Sequence, residues 1–225
     1  MPRSSERVHA ALVREGLLLL TDARLPSIAT LVAGAPVRGS WWAHPAGRDI
    51  FRVSEALADH PDVLVSRLVS GKVTYVHRRL WPPLLAVAGA REPWQTHRLS
   101  RTARSLLLRV ARAGSVRTDR VAGRAERLAD AARELEDGLL VHTEWIHTER
   151  GAHARVLQSW KAWARRRGRA TGAARRPSED PLRAKMILEQ IMSRLNRRCG
   201  ADGRLPWQIS RARAAAGEDD RPASS

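Results

Sequence analysis

Apolar positions recur at three- and four-residue spacing along most of the chain and alternate over a few short stretches. Val8, Ala11, Leu12, Leu18 and Leu19 predict a first helix over Arg7 to Leu20, capped by Ser4 or Ser5. Ser27 to Ala33 reads as a short second helix stopped by Gly34 and Pro36, and Pro36 to Gly47 as a loop. Ile50, Val53 and Leu57 mark a third helix over Arg48 to Asp59. The β-branched stretch from Val63, the Ser70-Gly71 dipeptide and the alternation from Val73 to His77 predict a hairpin. An apolar helix over Leu80 to Gly89 follows, with Pro82 and Pro83 in its first turn.

The second half repeats this order. Ser100 to Ala113 is an amphipathic basic helix, with Leu106, Leu107 and Val110 inward, Arg101, Arg104 and Arg112 outward, and Gly114 as its stop. Ser115 to Arg117 is a connector. Thr118 caps a short helix over Asp119 to Gly123, and Ala125 to Asp137 is a longer one. Leu139 to Trp145 and Ile146 to Val156 read as two strands turning at Glu149-Arg150-Gly151, and Ser159 to Arg167 as a closing helix. Leu182, Met186, Ile187, Ile191 and Leu195 place one more helix over Pro181 to Arg198. The fold class expected is therefore mainly α with small β-hairpins (α+β). The units are a first module over 1–90, a linker over 91–99, a second module over 100–167, a basic flexible linker over 168–180, a C-terminal helix within 181–207 and a disordered tail over 208–225.

Composition narrows the class. The chain has 225 residues, of which 43% are hydrophobic, so it can bury a core. No apolar run, Gly16 to Leu20 included, approaches the roughly 20 residues a membrane span needs. No signal-peptide core follows the N-terminus, so a cytoplasmic protein is expected. A single cysteine, Cys199, excludes an internal disulfide framework and a cysteine cage for metal.

Charge points to a partner. Forty basic residues, 37 of them Arg, stand against 23 acidic ones, a formal net charge of +17. Codon bias explains Arg over Lys, but not base over acid. Residues 91–127 carry ten bases and three acids, and residues 161–176 carry seven bases and no acid. Concentrated positive charge favours a polyanion, so nucleic acid is the first candidate partner, duplex DNA before RNA, and an anionic membrane surface the second.

The order helix, short helix, longer helix, two strands resembles a winged helix. The run Leu106-Leu107-Leu108-Arg109-Val110-Ala111-Arg112-Ala113-Gly114-Ser115-Val116-Arg117-Thr118 is similar to a first helix, its stop and the entry to the turn. Glu134 to Val141 is similar to the end of a third helix entering the first wing strand, and residues 5–77 repeat the order more loosely. The pairing resembles bacterial tandem winged-helix proteins, among them DNA glycosylases that unhook interstrand crosslinks. The resemblance implies DNA binding and, by that kinship, DNA repair. The two glutamines flanking one apolar residue that serve those glycosylases are absent, Gln208-Ile209-Ser210 being nearest, so no catalytic residue carries over.

Candidate DNA-contacting residues follow. Arg117, Thr118, Arg120, Arg124 and Arg127 surround the second turn, where Arg would meet phosphates. Lys72, Arg78 and Arg79 flank the first hairpin, and Arg150 sits in the second hairpin's turn. Arg165, Arg166 and Arg167 begin the basic extension. Trp41 and Trp42 lie beside Arg38; in an extended loop they would point to opposite faces, leaving one for base stacking. Trp81, Trp94, Trp145, Trp160 and Trp163 read as packing residues.

A competing enzymatic reading rests on His142, Glu144, His147, Glu149 and His153. Residues two apart share a strand face, so if the turn brings the His142/Glu144 and His147/Glu149 pairs together, the three histidines and two carboxylates could ligate a metal or run proton transfer. The spacing matches no zinc motif, and neither metal nor cofactor is expected. A membrane-surface reading rests on Trp160 and Trp163 followed by Arg165 to Arg169.

Overall fold

The computed structural model describes residues 2–147, 153–171 and 180–218. It is mainly helical, 59% helix against 16% strand, and its strands form two small antiparallel sheets.

Helix α1 (Pro2–Glu15) stops at Glu15 rather than at Leu20. Gly16 ends it with a left-handed φ of +85°, and Leu17–Leu19 becomes strand β1. Three consecutive leucines fit neither a one-faced helix nor a one-faced strand; a strand covered on both sides buries them all. A Cβ on Gly16 would lie 2.9 Å from the ends of the Arg79 and Leu80 side chains, and the left-handed φ is what calls for glycine here.

Ser27 caps helix α2 (Ile28–Ala33) and a left-handed Gly34 closes it. Helix α3 (Gly47–Ala58) and the hairpin of β2 (Val63–Val69) and β3 (Lys72–His77) follow the expected pattern. Ser70 and Gly71 both adopt positive φ, 50° and 67°, as a tight hairpin turn demands. The sheet order is β1-β3-β2. Register sets Leu17, Val76 and Leu64 side by side on one face and Leu18, Tyr75 and Val65 on the other.

Helices α4 (Trp81–Gly89), α5 (Pro93–Thr96) and α6 (Arg101–Ala113) lead to strand β4 (Ser115–Arg117). Residues 115–117 are thus a strand rather than a connector, because Val116 pairs with Leu157. The short helix expected over Asp119 to Gly123 is a 3-10 turn at Thr118–Arg120. Helix α7 (Ala125–Asp137) precedes β5 (His142–His147) and β6 (His153–Gln158), and this sheet runs β4-β6-β5. Both sheets therefore pair their first strand with their third.

Helix α8 (Trp160–Thr171) extends past Arg167, so residues 168–171 are helical rather than linker. Helix α9 (Pro181–Cys199) is followed by α10 (Pro206–Glu218), where a disordered tail was expected from residue 208. Pro206 opens α10, Gln208 accepts the Leu205 amide at 2.8 Å, and buried Trp207 donates to Glu189. Residues 219–225 lie outside the described residues.

Among the described residues, three apolar clusters hold the elements together. One face of the first sheet packs on α1, α2 and α3 through Leu12, Leu18, Ile28, Leu57 and Tyr75. Its other face joins a central cluster with α4, α8 and α9, where Leu64, Leu84, Trp163 and Leu188 meet. Trp81 and Trp163 stand edge to face, 5.1 Å apart, and Trp160 donates to the Leu139 carbonyl at 2.7 Å. A third cluster fills the second unit between α6, α7 and its sheet. The 91–99 segment is no open linker: buried Gln95 donates to the Gly138 carbonyl at 2.9 Å. Buried Glu15 ties α1 to α9 through Arg198 at 2.7 Å; burial alone would lift its carboxyl, but Arg198 and Arg14 hold it below the usual range.

Trp163 fills the junction of both halves, so Trp163→Ala should cost about 3–5 kcal/mol and leave one cooperative urea transition. Two separated transitions in the parent chain would contradict a shared core.

Candidate nucleic-acid interface

The most prominent exposed aromatic surface lies at the start of α3. Trp41 and Trp42 sit in a 3-10 turn, Trp41–Ala43, not in an extended loop. Adjacent side chains in such a turn do not oppose each other, and the two rings stack at 4.1 Å. Trp42 is 63% exposed and Phe51, 5.3 Å from it, is 41% exposed. Gly47 makes this seat: a Cβ there would meet the Trp41 carbonyl at 2.8 Å, so α3 can begin directly beneath the tryptophans. Arg48, Phe51, Arg52 and Glu55 then share the outward face of α3 while Ile50, Val53 and Leu57 face the core. Arg38, Arg48 and Arg52 are exposed and make no hydrogen bond or ion pair among the described residues.

Many of the other candidate cations are engaged within the protein. Lys72 pairs with Asp22 at 2.6 Å and Arg78 with Asp62 at 3.2 Å. Arg79 donates to the Arg14 carbonyl at 2.9 Å. The Ser70-Gly71 turn is itself held by Arg204, which accepts the Ser70 amide at 2.7 Å through its carbonyl. Arg117 pairs with Asp119 at 2.8 Å, and Thr118 Oγ accepts the Arg155 amide at 3.2 Å. Arg166 pairs with Glu144, while Arg165 is exposed and Arg167 is half-buried with a partner. Arg150 lies outside the described residues.

Arg120, Arg124 and Arg127 are exposed without a hydrogen bond or ion pair among the described residues. Beside them α7 also exposes Glu126, Asp130 and Asp137, so that helix face is mixed in sign. Helix α6 is different: Arg101, Arg104, Arg109 and Arg112 are exposed, and the helix contains no acidic residue. Trp145, expected to pack, is 60% exposed on β5 with the Arg155 guanidinium 4.7 Å over its ring.

Among the described side chains, the histidine-rich hairpin shows no gathered site. His142 is 5% exposed and sits between Trp160 and Trp163, with ring centroids at 5.5 and 5.4 Å. Its Nδ1 is 3.9 Å from Glu144, and Glu144 is held by Arg166 and by Gln158 at 2.9 Å. Burial would raise the Glu144 carboxyl, but the Arg166 hydrogen bond and charge, with His142 and Gln158, together outweigh it and hold the group below the usual carboxylate range. His147 pairs with His153 in the backbone register, and five residues along β5 place its backbone roughly 16 Å from that of His142. Glu149 lies outside the described residues. A cleft of about 280 Å³ between the first hairpin turn, α5, α7 and α10 is lined by Arg67, Arg98, Glu134 and Asp137, and Glu134 already accepts the Ser100 amide at 2.7 Å.

Comparison of the chain with protein-family models, curated proteins and solved structures finds no match. Function must therefore be argued from these surfaces. No helix among the described residues is long and apolar enough to cross a membrane. Sequence reading missed Arg48, Arg52 and Phe51; their spacing of three and four beside two tryptophans was the available signal. It also missed His9, His60 and Asp62, whose separation along the chain gives none.

Burial pushes the pKa of His142 down to about 4; Glu144 pulls it upward, while Arg166 and Arg167 add to the depression. The unfolded chain thus binds this proton more readily than the folded one. Stability should be full above about pH 6.5 and fall by roughly 3 kcal/mol as the pH drops towards 4. Urea titrations of the parent and His142→Gln across that window should converge as the pH falls; parallel profiles would show that His142 does not titrate this way.

Proposed function

We propose that the protein binds duplex DNA through two modules of the winged-helix kind. The carrying observation is the exposed Trp42–Phe51 surface on the start of α3, flanked by Arg38, Arg48 and Arg52. The element order supports it, since α1-β1-α2-α3-β2-β3 recurs as α6-β4, a 3-10 turn, and α7-β5-β6. In a winged helix the third helix of that order enters the major groove. Here α3 offers guanidinium groups to phosphates and aromatic faces to sugars and bases.

The second module contributes differently. Its third helix is mixed in charge, so phosphate contacts fall to Arg120, Arg124 and Arg127 at its entry, and Trp145 with Arg155 presents a second aromatic–cation pair. The first hairpin turn is occupied by the chain near Arg204, so Lys72, Arg78 and Arg79 are structural rather than DNA-contacting in this reading. The repair-enzyme alternative gains no support from the separated His142 and His147.

Anisotropy titration of a labelled duplex over a range of salt tests the assignment. Affinity should fall steeply with salt, and Arg48→Ala with Arg52→Ala should make the log–log slope shallower by about 2. A response independent of salt, or one the double substitution leaves unchanged, would refute it.

A further inference from the structure

At the far end of α3 from the aromatic surface, three ligand-type side chains converge from separate stretches. His9 comes from α1, and His60 and Asp62 from the turn between α3 and β2. One ligand-type atom of each lies within 4.8 Å of the others. The His9 and His60 rings are 4.1 Å apart and tilted by 37°. Nε2 of His9 is closed off from solvent and has no hydrogen-bond partner. Enclosed ring nitrogens are ordinarily satisfied, so this one calls for a partner that imidazole and carboxylate can share.

We propose that His9, His60 and Asp62 bind a divalent transition ion of the zinc type. Two imidazoles and one carboxylate suit such an ion; magnesium and calcium favour oxygen donors alone. Donors on a tetrahedral ion with bonds near 2.0–2.1 Å stand about 3.4 Å apart, so closure asks for inward rotations of about 1 Å. All three residues are half-buried, which permits the rotation and gives the ion a path from solvent. His77, whose ring lies 6.5 Å from that of His9, or a water takes the fourth position.

Two existing contacts set the strength. Arg78 holds Oδ1 of Asp62 at 3.2 Å and leaves Oδ2 for the ion. The Asp62 amide donates to Nδ1 of His60 at 3.1 Å, and ligation through either ring nitrogen gives up that contact. Affinity is therefore micromolar rather than nanomolar. The bound ion fastens α1 to the α3–β2 turn, and this holds whether or not the chain binds DNA.

Full-length protein stripped with a chelator and titrated with zinc chloride tests the site by calorimetry and thermal melting. One ion should bind per chain with micromolar affinity and raise Tm, and His9→Gln and Asp62→Asn should each weaken binding at least about tenfold. Cobalt(II) on the unsubstituted protein should give the visible bands of a four-coordinate ion without thiolate charge transfer, a reading that needs no variant and separates the site from Cys199. Absence of saturable uptake below millimolar zinc, a thiolate band, or binding that survives both substitutions would overturn the assignment.

Discussion

The burial of the first sheet on both faces is the constraint from which the rest of the structure follows. A three-stranded sheet with one wet face would need alternating polar residues, and Leu17, Leu18 and Leu19 deny it that pattern. The N-terminal helices cover one face. The other must be covered from elsewhere, and α4, α8 and α9 do so. That demand draws the second half of the chain onto the first and makes Trp160 and Trp163 packing residues rather than a membrane anchor. It also occupies the first hairpin turn, because the chain leaving α9 passes beside Ser70. The surfaces left open are those that neither cover requires: the start of α3, the outer face of α6 and the Trp145–Arg155 pair on the second hairpin.

Helices with a one-sided apolar stripe were legible in the sequence. Helix α6 spans Arg101–Ala113 with Gly114 after it, as its periodicity and stop residue indicate, and Ser100, read as its first residue, is its cap. The first hairpin was legible for the same kind of reason, a local turn signal between β-branched stretches. What failed was information that is not local. Leu17 to Leu19 continues a helical pattern until a distant face is known to cover it. Residues 208–218 look like a tail until Trp207 is seen to be buried against α9. Trp145 looks like a core residue by composition, yet β5 and β6 carry it to 60% exposure.

The candidate surface shows the same limit in electrostatic form. A sequence gives the number of cations but not how many are spent internally. Lys72, Arg78 and Arg117 each face a carboxylate within 3.2 Å, and such a pair offers little to a polyanion without first being broken. Arg48 and Arg52 count for more because no carboxylate binds them among the described residues. Density along the chain ranks the 91–127 block first, whereas pairing and exposure shift weight to α3, whose net charge is unremarkable. Net charge still governs long-range attraction, so the two scales act at different distances.

The position of α3 is fixed at both ends by contacts that sequence periodicity does not encode. At its start, the missing Cβ of Gly47 seats the stacked tryptophans on the first helical turn. At its end, His60 and Asp62 meet His9 of α1. Twelve residues of helix hold these ends about 18 Å apart. Between them Ile50, Val53 and Leu57 prevent rotation about the helix axis, since turning α3 would bring Arg48 and Arg52 against the core. A helix so clamped presents one face in one orientation. Ordering costs are then met in folding rather than at encounter, which is what rigid-body recognition of a regular polymer surface requires.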